Sequence, residues 1–281
     1  MKLLRNGPRG QEKTGLLDQT GAIRDLSAHA PDLGGEGVSL SALAALAQID
    51  PDVLPVVADP GRVGACLSHA PNFYAVGLNY NEHAAELGAE PPSEPILFSK
   101  AASCLSGPND PLTLPPTSEK SDWETELGVV IGQAASNISE ADALGVIAGY
   151  CLINDISERA FQLEHGGQWI KGKSAPGFGP AGPWLVTPDE VGDVQNLSMS
   201  MTLNGEVMQN SSTADMIFSV AEIVSYMSKF MELRPGDLIA TGTPPGVGMG
   251  KTPQRFLRPG DVMELTIECL GSQRIEVIAA P

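Results

Sequence analysis

The chain has little of what marks several large classes of protein. Aromatic residues are 5% of its 281 residues, and Lys plus Arg number 17 against 34 Asp plus Glu. A formal charge of −17 repels phosphate backbones rather than collecting them, so nucleic acid is not an expected partner. No uncharged apolar run approaches the ~20 residues of a spanning helix, so no membrane role is expected. Residues Met1 to Gly7 hold no apolar stretch of signal-peptide length, and the cytoplasm is the expected location. Only four cysteines occur, Cys66, Cys104, Cys151 and Cys269, with no Cys-x-x-Cys pair. That spacing argues against a zinc ribbon or a disulfide framework, and the four are expected as buried, reduced thiols.

What the chain has is 42% hydrophobic residues with 31 glycines and 23 prolines, enough apolar material for a core and frequent turns between strands. Thr14–Asp18 and Ala22–Leu26 flank a turn and read as a hairpin, followed by a short helix capped by Ser39. The Pro/Gly-rich stretch 51–71 reads as a linker, with a boundary near residue 70. Beyond it, Phe73–Leu78, Ile96–Ser99, Thr125–Ile131, Tyr150–Ile153, Leu238–Thr241 and Val262–Ile267 read as strands. Ser139–Gly149 and Thr213–Phe230 read as helices. Arg-Pro-Gly-Asp stands at 234–237 and again at 258–261, one turn type used twice. The expectation is a mixed, predominantly β domain over 71–281 with few helices, plus a small α+β domain over 1–70.

Gly167–Ser174 fits the phosphate-loop expression G-x-x-x-x-G-K-[ST]. Such a loop works between a buried strand and a helix, and Pro176 with its neighbouring glycines forbids the helix, so triphosphatase activity is not expected.

Glu124 and Glu126 flank Thr125 at the start of an apolar run, and in a strand they share one face about 7 Å apart. A solvated edge is the ordinary meaning of such a pair. Here Leu127–Ile131 suggests a strand covered on both faces, where bare acids are costly unless bound to a cation. Asp155, at the end of a second apolar strand, supplies a third carboxylate. An all-oxygen set suits a hard ion, Mg²⁺ first and Mn²⁺ or Ca²⁺ next, better than zinc.

These motifs together resemble the fumarylacetoacetate hydrolase superfamily. The resemblance runs from about Phe73 to the C-terminus. It is carried by Gly77–Glu86, Glu124-Thr125-Glu126, Asn154–Arg159, Gly172-Lys173-Ser174, Gly182-Pro183-Trp184 and Thr241–Gly248, in that order. It implies a barrel-like β domain of the family's own type, bacterial members with a small N-terminal domain, and a homodimer. By the same resemblance Glu124, Glu126 and Asp155 match the metal ligands, and His83 with Glu86 matches a His-x-x-Glu dyad that activates water. Lys173 matches the lysine facing a substrate carboxylate or enolate oxygen, Gln162 and Thr243 match substrate-contacting positions, and Asn79 and Tyr80 are candidates to shape the pocket.

The implied activity is Mg²⁺-dependent hydrolysis of a carbon–carbon bond in a 2,4-dioxo acid, acylpyruvate-like or fumarylpyruvate-like. Isomerase, decarboxylase, hydratase and ureidoglycolate-type lyase activities on small 2-oxo or 2-hydroxy acids are the alternatives. A non-catalytic metal-binding scaffold is the rival of another class. Leu78 stands where some members have arginine, Gly166 where some have tyrosine, and Ala175-Pro176-Gly177 replaces a more polar loop. Fumarylacetoacetate specificity is therefore not implied.

Overall fold

The computed structural model of the chain describes residues 1–30 and 32–280. It is predominantly β with few helices, as expected, and its strands form two main sheets. The larger has nine strands in the order Ile23–Asp25, Lys13–Leu17, Lys2–Asn6, Leu185–Val186, Ile147–Asn154, Thr125–Ile131, Leu238–Ala240, Phe73–Gly77, Ile96–Lys100. Its two edge strands do not pair, so the sheet does not close into a barrel. The smaller sheet runs Glu206–Ser212, Ser198–Leu203, Val262–Ile267, Gly271–Ile278, Leu112–Thr113.

Thr125–Ile131 and Ile147–Asn154 sit at the centre and are buried at every position. A strand covered on both faces needs apolar side chains in both directions, which is why these runs do not alternate. Their antiparallel register sets Glu126 opposite Ile153 and Thr125 opposite Asn154. One step further out, the Asp155 amide donates to the Glu124 carbonyl at 2.8 Å. This register brings carboxylates from two distant segments to one end of the sheet.

The first 70 residues add three strands to this sheet, with Lys2 and Leu3 paired against Val186 and Leu185. Leu3, Leu16, Leu33 and Leu46 join the same buried cluster as Leu127 and Ile153. The hairpin forms as Lys13–Leu17 against Ile23–Asp25, and Ser39 Oγ caps the helix Leu40–Leu46 by accepting from the Ala42 amide.

Four expectations are corrected. The segment 139–149 is helical only to 146, because Ile147–Gly149 is taken into the central strand by pairing with Thr125–Ile131. The segment 213–230 is a single 3₁₀ turn, Thr213–Asp215, and a separate helix, Val220–Ser228. Ser219 starts that helix with a capping box closed by Glu222. Four strands of the smaller sheet, Ser198–Leu203, Glu206–Ser212, Gly271–Ile278 and Leu112–Thr113, were not expected. Cys269 is exposed between two strands, while the other three cysteines are buried and free. The two Arg-Pro-Gly-Asp turns are alike: Gly236 and Gly260 have φ of +84° and +93°, as the third residue of a type II turn requires. In each, the Asp carboxylate accepts from the first arginine's amide at 2.8 Å.

Candidate active site

Ligand oxygens of Glu124, Glu126 and Asp155 lie within 4.8 Å of one another, and all three side chains are buried. Lys173 Nζ donates to Glu124 Oε2 at 2.6 Å and to Asp155 Oδ2 at 2.7 Å. Lys100 Nζ, from the far edge strand, also donates to Asp155. Arg159 lies 2.7 Å from Glu124 and 2.9 Å from Asp122. Four buried acids thus face three buried bases.

The imbalance falls on Glu126. Among the described residues it has no cation within ion-pair distance, and its one hydrogen bond is from the Gly242 amide at 2.7 Å. Burial, with Asp155 and Glu124 nearby, pushes its carboxyl well above the usual range. Burial acts the same way on Glu124, but the Lys173 and Arg159 charges outweigh it and hold that carboxyl low. Asp155 and Glu124 likewise outweigh the burial of Lys173 and raise its ammonium. A buried carboxylate without a counter-charge, next to two others and with oxygen donors only, fits a hard divalent cation.

His83 and Glu86 lie on the one-turn helix Asn81–Glu86, with Nδ1 and Oε2 3.3 Å apart. Glu86 is fixed in turn by the Gly246 amide, 2.9 Å from Oε1. Gly250 packs on it so closely that a Cβ there would come 2.3 Å from Glu86 Cδ. The loop following Leu238–Ala240 is tied to the site by four of its amides. Gly242 donates to Glu126, Gly246 to Glu86, and Gly248 and Met249 to Asp122. Trp123 Nε1 donates to the Gly246 carbonyl at 3.1 Å.

A cavity of about 250 Å³ opens on Glu124 and Glu126 and is also lined by His83, Lys173, Gln162 and Thr243. Gln162 accepts from Arg159 at 3.1 Å. Thr243 Oγ1 donates to the Thr125 carbonyl and accepts from Gln209 Nε2 at 2.8 Å. Asn79 and Tyr80 do not line it. Asn79 bridges Thr241 and Phe218 with its amide group, and the Tyr80 hydroxyl donates to Met199 Sδ at 3.3 Å in the core. The phosphate-loop lookalike ends in the four-residue helix Ile170–Lys173, with Lys173 committed to acids.

Sequence reasoning assigned no role to Lys100, Arg159, Asp122 or Gln209. Arg159 closes the Asn154–Arg159 motif, and Lys100 ends an apolar strand, which is the signal a buried cation leaves. Gln209 left none: it sits in a polar strand of the smaller sheet, yet it accepts from the Thr125 amide at 3.0 Å.

The family profile described as fumarylacetoacetate (FAA) hydrolase, C-terminal, matches residues 72–278. A Burkholderia orbicola protein provisionally named a hydrolase is 54% identical over 274 residues, 97% of each chain. The structure of a fumarylacetoacetate hydrolase from psychrophilic Exiguobacterium antarcticum is 34% identical, with TM-score 0.87 over 100% of both chains. That of a 5-carboxymethyl-2-hydroxymuconate delta-isomerase from Mycobacterium smegmatis is 29% identical, with TM-score 0.79 over 100% of both.

Proposed function

This chain belongs to the fumarylacetoacetate hydrolase family, and on that footing we propose that it is a Mg²⁺-dependent hydrolase of 2,4-dioxo acids. The observation that carries the reading is the meeting of Glu124, Glu126 and Asp155 within 4.8 Å, beside a cavity lined by Glu124 and Glu126 together with His83 and Lys173. The three carboxylates would hold the ion, which when bound supplies a Lewis acid at the 2-oxo acid end of the substrate.

The chain's own groups account for the rest. Glu86 accepts from His83 Nδ1, which leaves Nε2 as the proton acceptor for a water in the cavity. Hydroxide adds to the C4 carbonyl and the C3–C4 bond breaks, its electron pair passing to the C2 oxygen of a pyruvate enolate. Lys173 uses two of its three donors on acids, so one N–H remains for that developing oxyanion. His83 returns its proton to C3 of the enolate, giving pyruvate and a second carboxylic acid.

Isomerisation is the second reading, favoured by the delta-isomerase likeness; there His83 would move a proton between carbons of one substrate and no water would be consumed. Pyruvate release from a panel of acylpyruvates, with and without EDTA, separates the two. His83→Ala is expected to lower turnover at saturating Mg²⁺ by roughly 10²–10⁴-fold. Unchanged turnover would remove the mechanism. A Mg²⁺-dependent rise in Tm without turnover of any 2-oxo acid would favour a scaffold.

The same reading takes 71–281 as the catalytic domain and 1–70 as a small module docked on its sheet, in the cytoplasm. It also takes the protein as a homodimer, supported by Phe230, which is 64% exposed beside the Tyr226 ring. Light scattering on the eluted protein tests the dimer.

A further inference from the structure

We infer that the end of the substrate remote from the three acids is uncharged and apolar: the site takes 2-oxo acids with one charged terminus and discriminates against dioic acids. The inference rests on the proposed function for the near end and goes beyond it for the far end.

The apolar part of the cavity wall includes Leu78, Leu87, Phe98, Leu163, Trp169 and Met249. Each cation that lines it already has a carboxylate within ion-pair distance. Arg159 lies between Asp122 and Glu124, and Lys173 between Glu124 and Asp155. His83 faces Glu86. Lys171 does not line the cavity: it is exposed, with Nζ 2.6 Å from the His165 carbonyl. A second carboxylate at the far end would therefore give up its water without gaining a counter-charge, inside a protein of formal charge −17.

The apolar wall is also fixed in shape. Trp169 lies over Gly77 so tightly that a Cβ there would come 2.6 Å from Cζ3, and Phe98 meets the indole edge-on at 5.2 Å. Leu78 follows at φ +54°, a left-handed conformation that a leucine adopts only at a cost, and its side chain lines the cavity. The volume of about 250 Å³ lies below the usual ~300–1,000 Å³ of ligand pockets, which suits a short chain.

The test is titration calorimetry of the Mg²⁺-loaded protein with two six-carbon ligands that differ only in the far end, 2-oxohexanoate and 2-oxoadipate. The alkyl acid is expected to bind about tenfold more tightly or better. Leu78→Arg keeps a Cβ at the left-handed position, so backbone strain is unchanged, and it is expected to shrink or reverse that ratio by offering the second carboxylate a partner. Equal or tighter binding of 2-oxoadipate by the unmodified protein overturns the inference, as does failure of both ligands to bind. An alkyl preference in binding, with no pyruvate released from any acylpyruvate, defeats the hydrolase reading and leaves the far-end assignment standing.

Discussion

The two sheets treat charge in opposite ways. In the smaller one, Val262–Ile267 and Gly271–Ile278 alternate between buried and exposed positions, and Glu264 faces Arg274 across the hairpin at 3.7 Å in open solvent. In the larger one the central strands are covered on both faces, and the buried Lys173 is clamped between Glu124 and Asp155. An exposed pair contributes at most ~1 kcal/mol, whereas breaking a buried one strands its partner. The difference teaches that charges enter the centre of the covered sheet as a cluster of acids and bases, and that this cluster leaves one acid, Glu126, uncompensated.

That contrast can be broken or sharpened by substitution. The largest effect is expected from Lys173→Met, which removes the cation shared by Glu124 and Asp155 and leaves each with one partner, Arg159 and Lys100 respectively. Without metal it should lose about 3–5 kcal/mol in chemical denaturation, with part restored by Mg²⁺ as the ion takes over the neutralisation. If stability is unaffected in both conditions, the cluster is not what holds this end of the sheet. Gly250→Ala is next: its methyl group displaces the flexible end of Glu86, so the fold survives while His83 loses its orienting partner. A fall in kcat of roughly 10–100-fold with little change in KM is expected, by analogy with other orienting carboxylates. Glu264→Gln, on the open sheet, should change stability by no more than about 0.5 kcal/mol. A larger loss would mean that the two sheets are not as different as their burial implies.

The same contrast explains what could be read from the chain. Central strands such as Thr125–Ile131 are unbroken apolar runs and were recognisable as strands, and Glu124, Glu126 and Asp155 were noticed because acids interrupt or terminate such runs. Glu206–Ser212 was not recognisable, since Gln209, Asn210, Ser211 and Ser212 read as loop residues until a pairing strand is supplied. The helices were overextended because pairing decided their ends. Ile147 continues an apolar helical pattern, yet it pairs with Ile131. Lys100 and Arg159 reach the acids from the end of a strand and the start of a helix far apart in the chain, and the register between Thr125–Ile131 and Ile147–Asn154 brings their partners together. Asn79 and Tyr80, close in sequence to His83, were drawn in by that neighbourhood, although their polar groups serve the packing beneath it.

The glycine-rich stretch from 242 to 249 works as a ruler. Its amides at 242, 246, 248 and 249 meet carboxylates that begin on a strand, on a one-turn helix and on a bridging segment. Each junction leaves no slack for the others. One residue added or removed between Gly242 and Met249 would put Glu126, Glu86 and Asp122 out of reach of these amides together.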